Sequence, residues 1–73
     1  MSLTDSQRHW LRWMVTNGGE ATVQGNRIIC LANNEKSSAS SAIAFLHLLS
    51  KGALFINGGR LVVSDYGRRL LKP

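Results

Sequence analysis

A single cysteine, Cys30, stands in 73 residues, so no internal disulfide can form and no cluster of thiolates can hold a metal. Its simplest role is that of a small apolar residue buried in a strand. Long apolar runs are missing as well. The longest, Ala42 to Leu49, is interrupted by His47 and falls far short of a bilayer span. The N-terminus shows neither the basic start nor the apolar stretch of a secretory signal, so the expected location is the cytoplasm, with no membrane partner. Catalytic patterns are also absent: there is no nucleophile elbow, no phosphate loop and no pair of carboxylates suited to one cleft. His9 and His47 have no Cys or His companion at ligand spacing, so no metal and no cofactor is expected. No catalytic residue is assigned, and the chain is not expected to be an enzyme.

Acidic residues are scarce, 4 against 9 Lys and Arg, which leaves a net charge of +5. The excess is unevenly placed. Residues 1–36 carry Arg8, Arg12, Arg27 and Lys36 against Asp5, Glu20 and Glu35, whereas residues 37–73 carry Lys51, Arg60, Arg68, Arg69 and Lys72 against Asp65 alone. The second half is therefore the basic half, and a polyanion is the natural partner for such a surface, because each phosphate neutralised releases counterions.

What remains is an ordinary globular composition, 44% hydrophobic. A chain of this length makes one small domain that buries only about 60% of the surface its unfolded form exposes, leaving little room for an enclosed site. Thr4 or Asp5 can cap a first helix, which Asn17-Gly18-Gly19 stops. Glu20–Val23 and Arg27–Leu31 are β-rich and flank the turn residues Gln24-Gly25-Asn26. Serines 37, 38, 40 and 41 offer N-caps for a second helix that is apolar nearly all round, through Phe45, Leu46, Leu48 and Leu49, until Gly52 ends it. Gly58-Gly59 suits the two-residue loop of a second hairpin, and Ser64 or Asp65 caps a last helix. The expected fold is α+β, one domain over residues 1–73 in the order α-ββ-α-ββ-α: helix 4–16, hairpin 20–31, helix 37–51, hairpin 53–64 and helix 65–71. A shift of 33 positions lays Gly25 on Gly58, Val23 on Ile56 and Arg27 on Arg60, which supports reading both stretches as hairpins.

The segment Leu46-His47-Leu48-Leu49-Ser50-Lys51-Gly52-Ala53-Leu54, followed by Gly58-Gly59-Arg60-Leu61-Val62-Val63-Ser64-Asp65-Tyr66-Gly67-Arg68-Arg69-Leu70-Leu71, resembles the end of winged-helix DNA-binding domains of the MarR-like kind. There a recognition helix closes on a leucine and a lysine-glycine, a basic wing hairpin follows, and a helix opens with a glycine and an arginine. Val63-Ser64 stands where those domains carry Leu-Thr, and the likeness covers about half the chain. It implies a winged-helix-like domain, with helix 37–51 as the recognition helix and 53–64 as the wing.

The resemblance makes double-stranded DNA the expected partner and a bacterial or phage transcriptional regulator or accessory factor the expected role. The candidate DNA-binding residues are Arg60 at the wing tip, Lys36, Ser37, Ser38, Ser40 and Ser41 around the start of the central helix, and Arg68 on the last helix. Between Ser37 and Ser50 there is no Arg, Asn or Gln, the side chains that read guanine and adenine, so contact with the backbone is expected. The alternative is a protein-interaction module on the same scaffold, a homodimer or a phage-type protein docking on a host complex. Its motive is an apolar inventory, Trp10, Trp13, Phe45 and Phe55, that exceeds what so small a core can hide. Helix 4–16 is the candidate dimer helix.

Overall fold

In the computed structural model, residues 3–72 are described. They form a small α+β domain of three helices and one four-stranded antiparallel sheet. Helix α1 (Asp5–Thr16) starts in a capping box: Thr4 Oγ1 accepts the Gln7 N–H at 3.1 Å, and Gln7 Oε1 accepts the Thr4 N–H at 3.2 Å. Leu11 and Met14, both fully buried, face the sheet. The helix ends at Asn17, where Gly18 and Gly19 take φ of 107° and 79°, a region open to glycine at little steric cost.

Strands β1 (Glu20–Gln24) and β2 (Arg27–Cys30) close a hairpin through Gly25-Asn26, with Gln24 opposite Arg27 and Ala21 opposite Cys30. A single 3-10 turn (Ala39–Ser41) leads into α2 (Ala42–Ser50). Strands β3 (Leu54–Asn57) and β4 (Arg60–Val63) pair across Gly58-Gly59, and α3 (Asp65–Leu70) follows, with Ser64 Oγ accepting the Gly67 N–H at 2.9 Å as its cap. Strand β4 returns beside β1, so the sheet runs β2-β1-β4-β3.

Side chains alternate across each strand. Ala21, Ile28, Leu54, Leu61 and Val63 point to one face and join Leu11, Met14, Phe45 and Leu48 in the core. Residues of the opposite parity, among them Thr22, Ile29, Phe55, Arg60 and Val62, stay outside that cluster and are half-buried or exposed. All three helices therefore cover one face of the sheet and leave the other open. Helices α1 and α2 are tied by polar contacts at one end, where Gln7 lies 3.1 Å from His47 Nδ1 and 2.7 Å from Lys51 Nζ. Arg8 reaches from α1 to the Leu70 carbonyl, at 3.1 Å, and fixes the end of α3. Among the described residues no helix is long and apolar enough to cross a membrane.

The second helix departs from expectation at its start. It was expected from residue 37, but the 3-10 turn begins at Ala39 and the α-helix at Ala42. The preceding residues are drawn to the edge of β2 instead: Lys36 bridges Ile29, and the Ser37 N–H donates to the Ile28 carbonyl at 2.8 Å. A free strand edge offers unpaired backbone groups, and this segment satisfies them.

Candidate binding surfaces

The open face of the sheet gathers cations from distant parts of the chain. Lys36 bridges Ile29, Ile29 pairs with Thr22, and the β1–β4 register carried one residue further sets Thr22 beside Arg60. Lys36, Ile29, Thr22 and Arg60 thus form one row spanning about 14 Å at the usual strand spacing of about 4.8 Å. Arg27, opposite Gln24, extends the same face toward the tip of the first hairpin. Glu20 is the one acidic residue on these strands; its carboxylate lies 3.7 Å from the Arg60 guanidinium, with both side chains at least half exposed. Such a pair is worth little to stability and leaves Arg60 free to exchange partners.

Of the residues expected to contact DNA, Lys36 and Arg60 share this row. Ser38 and Ser40 are exposed, with their hydroxyls 3.1 Å apart. Arg68 lies elsewhere, over Gly19 at the start of β1, with Nη2 2.7 Å from where a Cβ on that glycine would sit. Ser37 and Ser41 do not belong to a binding surface: they are 2% and 1% exposed. Ser37 Oγ accepts the Ile28 N–H at 2.9 Å, the Ser37 and Ser41 hydroxyls are 2.8 Å apart, and Ser41 donates to the Ser38 carbonyl at 2.7 Å. Their hydroxyls are consumed in joining the 3-10 turn to β2. Ser37→Ala should accordingly strand a buried N–H and cost about 1–3 kcal/mol, while Ser40→Ala should leave stability unchanged. Urea unfolding of the two variants checks this, and equal midpoints would refute the structural role.

Cys30 is fully buried beside this segment, and burial first, then the Glu35 carboxylate, pushes its thiol pKa up. The thiol is therefore a poor nucleophile in the folded protein.

On the helix side of the sheet, the ends of both hairpins extend past α2 and leave an apolar groove of about 390 Å³. Its walls include Val23, Ile28, Phe45, Leu46, Leu49 and Ile56. Val23 is 59% exposed, Leu46 66% and Ile56 64%, and Ile43 on the outer side of α2 is 66% exposed. Sequence reasoning missed this groove, since a helix apolar nearly all round predicts apolar neighbours on every side. Arg27 was likewise not among the residues expected to bind. The repeat of 33 residues carried a signal for both: it equates Val23 with Ile56, which line the groove, and Arg27 with Arg60, which share the open face. The expected aromatic excess is partly absorbed. Trp10 and Trp13 are half-buried with ring centroids 5.9 and 6.2 Å from that of Phe45, whereas Phe55 remains 44% exposed on the open face.

Comparison with protein-family models, with curated proteins and with solved structures returns no match.

Proposed function

We propose that the chain is a small nucleic-acid-binding module on a winged-helix scaffold, holding the phosphate backbone of duplex DNA with the open face of its sheet and the β3–β4 wing. The observation that carries this reading is the row in which Lys36 and Arg60 lie, with Arg27 beside it and Glu20 the single opposing charge on the strands. Cations drawn from three segments onto one face make a footprint for a polyanion. The scaffold reading is supported by the order of the elements and by β4 pairing with β1, with β2 and the 3-10 turn in the place of the short helix before a recognition helix. Helix α2 exposes Ile43, Leu46, His47 and Ser50. None of these is suited to bidentate base reading, so binding is to backbone and shape. An accessory or regulatory factor of a bacterium or phage, acting across many sequences, fits such a surface.

Titration of duplex DNA across a salt series tests the proposal. Arg60→Glu should weaken binding and lower the dependence of log affinity on log salt by about one. Glu20→Gln should tighten binding several-fold by releasing Arg60. No binding at low salt, or affinities unmoved by either change, would overturn the reading.

A second reading, a protein-interaction module, is favoured by one separate observation, the exposed apolar walls of the groove beside α2.

A further inference from the structure

We infer that the open face of the sheet holds an unpaired base against the ring of Phe55, which makes a single strand of DNA a better ligand for this face than a duplex. The inference rests on the nucleic-acid reading of the same face and narrows its ligand.

Phe55 is the one aromatic residue in the four strands. The other large rings, Trp10, Trp13 and Phe45, gather on the helix side of the sheet, and among the described residues no ring contact involves Phe55. A domain this small needs its large apolar side chains for the core, yet this ring is 44% exposed.

Its surroundings suit a nucleotide. Val62, half-buried, lies directly opposite on β4 and gives an apolar floor beside the ring. Arg60 is the diagonal neighbour of Phe55 on the same face, about 7–8 Å away at the usual spacing, which is within the reach of one nucleotide from its base to its phosphate. Strand β3 is the edge of the sheet, so no strand pairs beyond it, and the turn that follows is Gly58-Gly59, where even an added Cβ would meet nothing within 4 Å. A strand of DNA can therefore approach the ring from the edge and from the hairpin tip.

Chemistry selects the ligand. A duplex would engage Arg60, Lys36 and Arg27 through its phosphates but would lay a hydrated, charged backbone over Phe55. A base instead offers a π face that covers the ring, and stacking of this kind tolerates any base, in keeping with a helix α2 that exposes no base-reading side chain. In a duplex both faces of every internal base are already stacked, so only an unpaired base can serve. An apolar protein surface would also cover the ring, but it would strip water from Arg60, whose one opposing charge on the strands is Glu20 at 3.7 Å.

Fluorescence and affinity measurements with an oligothymidylate and with an adenine-thymine duplex of the same length test the inference. Cations alone favour the duplex, whose phosphates are more closely spaced; the wild-type chain should nevertheless bind the single strand more tightly. Phe55→Leu, which keeps an apolar side chain, should lose about tenfold in affinity for the single strand and nothing for the duplex, with an unchanged circular dichroism spectrum and an unchanged salt dependence. Phe55→Trp should retain the affinity, and its added fluorescence should be quenched by the single strand, whereas Trp10 and Trp13 on the helix side should not respond in the wild type. Affinities that Arg60→Glu lowers and Phe55→Leu leaves alone would overturn the base contact while keeping the phosphate reading. Equal losses on both probes with Phe55→Leu, or no quenching of the Phe55→Trp variant, would place the ring against something other than a base and overturn the inference. Binding of neither probe at low salt would overturn both readings.

Discussion

Phe45→Ala should cost about 3–5 kcal/mol and bring the protein close to unfolding at room temperature. The total stability of a chain this short is on the order of 4–11 kcal/mol at the usual 0.05–0.15 kcal/mol per residue, so one large cavity consumes much of it. Phe45 is 3% exposed, and it is the residue on which Trp10, Trp13 and the sheet converge. Its loss removes apolar burial, the tilted ring contact with Trp10 and the edge-to-face contact with Trp13, and the wall between core and groove at once. Urea unfolding followed by tryptophan fluorescence reads the cost, and near-ultraviolet circular dichroism should lose its tryptophan bands before secondary structure melts. Phe45→Leu should be much milder, because most of the volume stays. A loss under about 1 kcal/mol for the alanine variant would contradict the packing, since a fully buried aromatic cannot be removed so cheaply.

Gly67→Ala should destabilise the fold by about 1–3 kcal/mol or more, and the sign is the informative part. In an exposed helix interior the same change would stabilise by about 1 kcal/mol, because alanine has the higher helix propensity. Gly67 sits inside α3, but a Cβ there would overlap the Ala53 carbonyl oxygen and stand 3.0 Å from its carbon. Both are backbone atoms at the entry to β3, and the same carbonyl accepts the Ser64 N–H at 3.0 Å. Neither partner can yield without moving a strand. The helix would have to lift, exposing Leu70 and Leu71 and breaking the Arg8 contact to the Leu70 carbonyl. Thermal unfolding of the variant decides the matter: a raised midpoint would mean that α3 does not dock on Ala53 as described.

The serines before α2 show why the candidate site was only half legible in the sequence. A run of serines ahead of an apolar helix is a sound capping signal, and the same hydroxyls could hold a phosphate. Nothing local reveals that β2 has a free edge nearby. Once the hairpin is in place, Ser37 serves Ile28 and Ser41 stacks behind it, so a pattern read as exposed becomes interior. Lys36 is carried to the sheet edge by the same event, which places it in a row with Arg60, 24 positions later in the sequence. The groove was hidden for a related reason. The apolar circumference of α2 says that the helix has apolar neighbours, but the hairpins cover it only in part and leave Ile43 and Leu46 to solvent.

The sequence by itself determined the elements and their punctuation. The capping box at Thr4, the glycine stops at Gly18-Gly19 and Gly52, the turn at Gly58-Gly59 and the Ser64 cap each depend on a few adjacent residues, and backbone preference and hydrogen bonding act at that range. Only the tertiary structure decided which strands meet, which face stays open and which cations share it. Those outcomes depend on burying apolar faces contributed by residues far apart in the chain: β4 pairs with β1, and Gly67 closes on Ala53. Alternation of side chains then turns that single choice of pairing into a basic surface on one side and an apolar groove on the other.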